Sequence, residues 1–518
     1  MSSVESSLKG PKAPIEHKDE LELGTTTTLP GTVELPWSAQ YKALWTCKRS
    51  VFASFACSSA AVLIGYDLYL IGSIIANPTF VEFFGVYDES IQAWALPANR
   101  QLVWSIVQYC SAMAGALISG LLNDAFGKKL NFYCLIALTM GGTLVELLSP
   151  NWLVWIVAKI LFGAAMGQMQ GTIPSYIAEL APTAIRGFLL SLFQFWIIFG
   201  SFLGSCVLQG TTSVSGNWSW KGAVVSQFAI GTICLALFIP LVPESPYYLI
   251  GRGKADQART VLQRLRGSES DYDVDRDVAT IQATLDHERQ SRAESGSYLE
   301  CFQGTNLRRT LIACLPMAMQ HFMGYPLAGN YQAYFLSLSG FEDSFLIGII
   351  SMLIGMIAII GAFLLIEKTG RRPQLIYGSV GLCLCLLIIG ILGFVNPGSQ
   401  ASSTAVAAFC IIWSVFYYAS LGAVGWTIPG EVPSARLRSK TTSLAGFTNS
   451  LINMGWSIAI PYLVNEENAN LGAKTGLVFF APATVLLVVA WFSVPETKGK
   501  SFTELDELFE RKTSARKF

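Results

Sequence analysis

The stretch VLIGYDLYLIGS, residues 62–73, sets one carboxylic acid, Asp67, in the middle of an apolar run. An ionised Asp at the centre of a bilayer costs roughly 2.5–3.5 kcal/mol on insertion scales, and a group kept there against that cost is functional by default. Desolvation disfavours the charged form of an acid, so Asp67 is placed to take up and release a proton. A permanently paired structural ion is the other reading. The remaining charges fall at the ends of apolar runs and come in duplicate. GLLNDAFGKK carries Asp124, Lys128 and Lys129, and LLIEKTGRR carries Glu367, Arg371 and Arg372. ELAPTAIRG spaces Glu179 from Arg186 as EVPSARLRSK spaces Glu431 from Arg438. Such charges can pair and part as two helix bundles rock, so they are read as latches, each acid facing the bases of its own half.

Little else in the chain could carry a reaction. Three histidines, no clustered metal-ligand spacing and no Walker-type phosphate loop speak against an enzyme, a metal site or an ATP-driven pump. No cofactor is expected.

The elements that must position these residues are legible from composition. Of 518 residues, 52% are hydrophobic and 14% charged, against about 25% charged in soluble domains, so this is a membrane protein. Its formal net charge of zero offers no global field for nucleic acid. Apolar runs of about 20 residues, the length that crosses a bilayer, lie near 51–77, 102–123, 130–149, 152–177, 187–209 and 222–242. A second set lies near 310–337, 344–366, 374–395, 404–430, 441–464 and 476–494. The reading is an all-α membrane protein with twelve transmembrane helices in two six-helix repeat bundles, 47–242 and 309–495. A linker with short amphipathic helices on the membrane surface, 243–308, joins them, and polar tails, 1–46 and 496–518, flank them. Lys and Arg concentrate in the even-numbered connections, which the positive-inside rule makes cytoplasmic along with both termini. The first residues lack the apolar region of a signal peptide.

With GYD in span 1, GKK and GRR after spans 2 and 8, PESPYYL after span 6 and PETKGKSF after span 12, the chain resembles the sugar porter family of the major facilitator superfamily from about residue 47 to 512. NYQAYFLSLSGF, EVPSARLRSKT, NLGAKTGL and the terminal SARKF are similar to the fungal maltose and general α-glucoside permeases. That likeness implies proton-coupled disaccharide uptake at the plasma membrane by a carrier expected to be monomeric, with sugar, proton and membrane lipid as its partners.

A sugar site needs amides that donate and accept, and aromatic faces to stack on. The resemblance assigns these roles to Gln194 in span 5, Gln320 and His321 in span 7, Trp426 in span 10, and Asn449 and Asn453 in span 11; the last two share a helix face. Each could instead be interhelical glue. The chain departs from the family where His321 replaces a second glutamine, where GYP, with the helix breaker Pro326, replaces GIN, and where Gly355 replaces an asparagine. The expectation is a pocket with fewer amides and more volume, suited to a disaccharide or another bulky substrate. The resemblance also pairs the GYD acid with a span 4 arginine, here Lys159, which could alternatively snorkel to the outer surface. The implied cycle begins with protonation of Asp67, which loosens Lys159; the outer gate then closes over sugar and the inner latches part. Two rivals are a secondary-metabolite exporter on the same frame and a non-transporting sugar sensor. Asn217, in Asn-Trp-Ser, is a possible glycosylation acceptor in the outer loop between spans 5 and 6.

Overall fold

The computed structural model describes residues 44–518 except 75–76, 89–91, 183–184, 212–213, 267–271, 292–296, 331–343, 396–399 and 465–470. Span 1 is Lys48–Ser59 continued by Ala61–Ser73, followed by Ala98–Phe126, Lys128–Leu148, Trp152–Leu180, Arg186–Thr211 and Trp218–Leu241 as spans 2 to 6. Spans 7 to 9 are Gly304–Phe322, Ser344–Thr369 and Arg371–Leu392. Span 10 runs Gln400–Ala419, Leu421–Gly425 and Thr427–Glu431; spans 11 and 12 are Arg438–Val464 and Thr475–Ser493. Among the described residues nine helices are long and apolar enough to cross a bilayer. The other three are spans 7 and 8 and the polar span 11, whose Ser, Thr and Asn side chains are mostly buried between helices. The outer part expected for span 7, residues 331–337, and most of the N-terminal tail lie outside the described residues.

Close helix contact is set by small residues. A Cβ at Gly65 in span 1 would stand 1.8 Å from the carbonyl oxygen of Ile197 in span 5, and one at Gly200 would stand 2.1 Å from that of Val62. The two backbones therefore touch at reciprocal glycines, one of them inside the GYD motif, in the manner of small-residue membrane contacts.

The linker holds short helices that pack on one another. Its helices Pro246–Gly251, Ala255–Arg266 and Val274–Ser291 bury Leu249, Ile250, Ala258, Leu262, Val278 and Ile281 against one another. They form a small bundle with its own core, since apolar stripes on adjacent short helices cover each other. On the opposite face, here the far side, the chain between spans 1 and 2 forms a helix, Pro78–Phe84, and a hairpin of β1 (Val86–Asp88) and β2 (Ala93–Ala95). Asn77 caps that helix by accepting from the Thr79 and Phe80 amides at 3.1 and 3.4 Å, with Pro78 at its first position.

Candidate functional site

Asp67 lies six residues before the far-side end of its helix (67 to 73) rather than at mid-span. Its Oδ1 meets Lys159 Nζ at 3.1 Å and its Oδ2 accepts from Gln108 Nε2 of span 2 at 2.7 Å. Lys159 does not snorkel outward: its side chain is buried, and Nζ also meets Glu146 Oε1 of span 3 at 2.5 Å. The rings of Trp155 and Phe162 flank the ammonium at 5.4 and 5.3 Å, close enough for cation–π attraction. Above it Ile74, Phe80, Phe84, Trp104, Trp155, Trp220 and Val224 pack as one apolar cluster. The cluster separates the ions from the far side. Sequence reasoning missed Glu146 and Gln108. The signal was available, since LTMGGTLVELLS sets a lone acid in an apolar run as plainly as the Asp67 stretch does.

The second set of residues converges between the two bundles. Asn449 of span 11 accepts from Gln170 of span 4 at 3.3 Å and donates to Gln320 of span 7 at 3.4 Å, and Ser450 donates to Gln170 at 3.4 Å. Gln320 stands beside Gly425, whose neighbour Trp426 packs edge-on against Phe193 at 4.9 Å. Gln194, His321 and Asn453 are buried as well. Two polar atoms here have no hydrogen-bond partner among the described residues, Gln320 Nε2 and Asn453 Oδ1, and the buried His321 side chain is hydrogen-bonded with Asn449. The span 4 glutamines, Gln168 and Gln170, were not singled out from sequence, although MGQMQG interrupts an apolar run with two amides.

Two expectations for this pocket are corrected. The helix of span 7 ends at Phe322 and turns at Gly324, whose φ is +93°, two residues before Pro326; a short π-helical turn, Pro326–Asn330, follows. The Met323 carbonyl at the break is satisfied by Trp413 Nε1 at 2.9 Å. The volume expected at Gly355 is also absent, because a Cβ there would meet the Tyr418 ring at 2.5 Å. Tyr325, Tyr417 and Trp413 stack in sequence at 5.0 Å each, so the pocket has exchanged amides for aromatic surface.

At the linker side the repeat is reproduced atom by atom. Lys128 meets Glu179 at 2.7 Å, and Arg371 meets Glu431 at 2.9 and 3.2 Å. Ser245 of PESP donates to Glu179 at 2.5 Å as Thr497 of PETKG donates to Glu431 at 2.6 Å. Glu244 accepts from the Lys128 amide at 3.0 Å and Glu496 from the Arg371 amide at 3.0 Å, each capping a helix start. Gly127 and Gly370 precede those starts with φ of +87° and +92°, a conformation glycine adopts without strain.

The remaining latch residues depart from pairing within one half. Arg438 reaches across to Glu179 at 3.7 Å, and Asp124 is paired with Lys440 of the other half. Arg186 and Arg438 both lie over the Phe502 ring of the C-terminal helix Phe502–Glu510, at 3.9 and 3.7 Å. Arg372 donates to the Trp491 carbonyl at 2.8 Å instead of an acid, and Lys129 contributes its backbone amide to Glu244. The side chain of Glu367 lies outside the described residues. Arg438 and Asp124 pair across because span 11 of the second half packs against spans 2 and 4 of the first at this end. Asn217 is exposed at the start of span 6, but Ser219 of its triplet is buried and accepts from Asn77 at 2.8 Å.

Two six-helix bundles, latched at one face and meeting through a cluster of amide side chains from spans 4, 7 and 11, define a secondary transporter of the major facilitator superfamily, not an enzyme. In fold it matches the proton:xylose symporter XylE bound to 6-bromo-6-deoxy-D-glucose, with a TM-score of 0.75 at 23% identity over 91% of this chain and 100% of that one. The family described as "Sugar (and other) transporter" matches residues 52–509, and the chain belongs to it. Among its relatives, "MFS transporter fmqE" of Aspergillus fumigatus is 32% identical over 90% of this chain and 88% of its own length. "General alpha-glucoside permease" of Saccharomyces cerevisiae is 30% identical over 92% and 78%. The protein is a multi-pass membrane transporter of the sugar class.

Proposed function

We propose that the chain imports an α-glucoside, of disaccharide size, together with a proton across the plasma membrane, with the linker side and both termini in the cytoplasm. The observation that carries the substrate reading is the pair of unpartnered buried polar atoms on Gln320 and Asn453 beside the Gln170–Asn449–Gln320 amide chain. Each such group costs about 1–3 kcal/mol when left unsatisfied, and a ring of hydroxyls, which both donate and accept, answers that need. Trp426 and the Tyr325–Tyr417–Trp413 column supply apolar faces for sugar rings. The name of the yeast relative supports the glucoside class.

Asp67 is the proton carrier in this reading and Lys159 its partner. The cytoplasmic latches are Lys128–Glu179, Arg371–Glu431 and the cross-half pairs of Arg438 and Asp124. Inward proton movement down the membrane potential contributes about 2.3 kcal/mol per 100 mV, enough to accumulate sugar. The aromatic column favours a second reading, export of a bulky molecule with a planar apolar face. Uptake of labelled maltose, sucrose, trehalose, cellobiose and glucose into yeast lacking its own sugar carriers, with and without an uncoupler, separates the two. Uncoupler-sensitive accumulation of one glucoside is expected. No uptake of any sugar overturns the import reading in favour of export.

A further inference from the structure

We infer that Glu146 is the second carboxylate of the coupling site, taking over Lys159 whenever Asp67 holds the proton. This deepens the proton-coupled reading above. Lys159 lies between two buried acids, Asp67 at 3.1 Å and Glu146 at 2.5 Å, supplied by spans 1 and 3.

With all three groups ionised the cluster carries one net negative charge, so uptake of a single proton makes it neutral. If Asp67 and Lys159 stood alone, protonating the acid would strand a buried ammonium without a counter-charge, the costly way to break a buried pair. Glu146 removes that obstacle, because the lysine keeps a full ion pair when the new O–H forms on Asp67. Gln108 completes the exchange. Its Nε2 donates to ionised Asp67 at 2.7 Å while its buried Oε1 has no partner; rotation of the amide turns that oxygen to accept the new O–H. No bond other than the O–H forms or breaks, and the proton comes from bulk water.

The surroundings give the cluster two faces. Toward the far side a small gap of about 10 Å³ is lined by Glu146 and Lys159 with Ile74, Phe80 and Trp104. A second gap of that size is lined by Asp67, Thr139, Phe162 and Met166. Each acid thus lines its own small gap, and the lysine sits between them. The neutral neighbours Gln108 and Gln227 are buried on spans 2 and 6. The other charges at this end do not compete: Arg100 lies over Trp152 at 5.2 Å, Lys221 over Trp220 at 5.4 Å, and Glu82 is exposed.

The test compares wild type, Glu146→Gln and Glu146→Asp in carrier-free yeast, reading accumulation, exchange and the pH profile of both with the glucoside the wild type takes up. Glu146→Gln makes the cluster neutral without a proton, so it is expected to lose accumulation at least tenfold more than exchange and to flatten the pH profile. Glu146→Asp is expected to restore a sloping profile. Accumulation and profile equal to wild type in Glu146→Gln overturn the inference, as does equal loss of exchange and accumulation in both variants, which marks a merely structural acid. If Glu146→Gln does not reach the membrane, a flat profile in Glu146→Asp, which keeps the carboxylate, overturns it. Should the wild type carry none of the sugars, the glucoside proposal fails separately, and the cluster is read from the melting midpoint of the purified full chain against pH. A sloping curve in wild type that flattens in Glu146→Gln is then expected; parallel curves refute the role.

Discussion

Replacing Lys440 with alanine removes a tie that joins the two halves at the linker side. Lys440 of span 11 is paired with Asp124 of span 2, and around it Ser119 meets Ser443 at 3.1 Å while Tyr298 donates to the Leu117 carbonyl at 2.5 Å. The lysine is buried, but the Asp124 side chain is 39% exposed, so water screens the pair and can solvate the acid once the lysine is gone. Its contribution is therefore closer to the ~1 kcal/mol of a well-placed exposed pair than to the cost of breaking a buried one. A shift of that size moves the balance between closed and open linker sides about fivefold. Ser443 is fully buried in the closed form, which makes it a reporter. In inside-out vesicles, a Ser443→Cys carrier is expected to react with a membrane-impermeant maleimide about fivefold faster when Lys440→Ala is added, read as the modified peptide by mass spectrometry. Lys440→Arg should keep the slow rate. An unchanged rate in Lys440→Ala would mean that this pair does not hold the halves together, and would sink the latch argument.

Three further outcomes are expected. Asp67→Asn should abolish uphill accumulation while preserving measurable exchange of labelled for unlabelled sugar; accumulation at the wild-type ratio would remove Asp67 from the coupling step. Gln320→Ala should raise the KM for uptake about fivefold, the worth of roughly 1 kcal/mol of hydrogen bonding, at equal surface expression; an unchanged KM would place the substrate elsewhere. Gly65→Val should prevent spans 1 and 5 from closing, because its Cβ would lie 1.8 Å from the Ile197 carbonyl oxygen and overpacking of this kind costs at least 1–3 kcal/mol. Loss of the monodisperse peak in fluorescence-detected size exclusion is the readout, and a normal peak would contradict the close contact.

The membrane class, the spans and the repeat were legible in the sequence because their causes are local. Uninterrupted apolar length decides whether a segment can span a bilayer, and the GKK/GRR and PES/PET duplications lie in contiguous letters. Those letters predicted that charged residues would gather at one face. They could not say that Glu244 and Glu496 cap the helices starting at Lys128 and Arg371, since each acid lies more than a hundred residues from the amides it receives.

What tertiary structure decided was which side chains of different helices meet. Rotation and depth of each span bring Glu146 and Asp67 onto the same lysine, turn Arg438 toward Glu179 of the other half, and fill the space at Gly355 with Tyr418. An acid in an apolar run announces that it needs a partner, through the cost of its charge in low dielectric. The identity of that partner is a property of packing. Glycines such as Gly65 and Gly200 let the backbones come close enough to settle it.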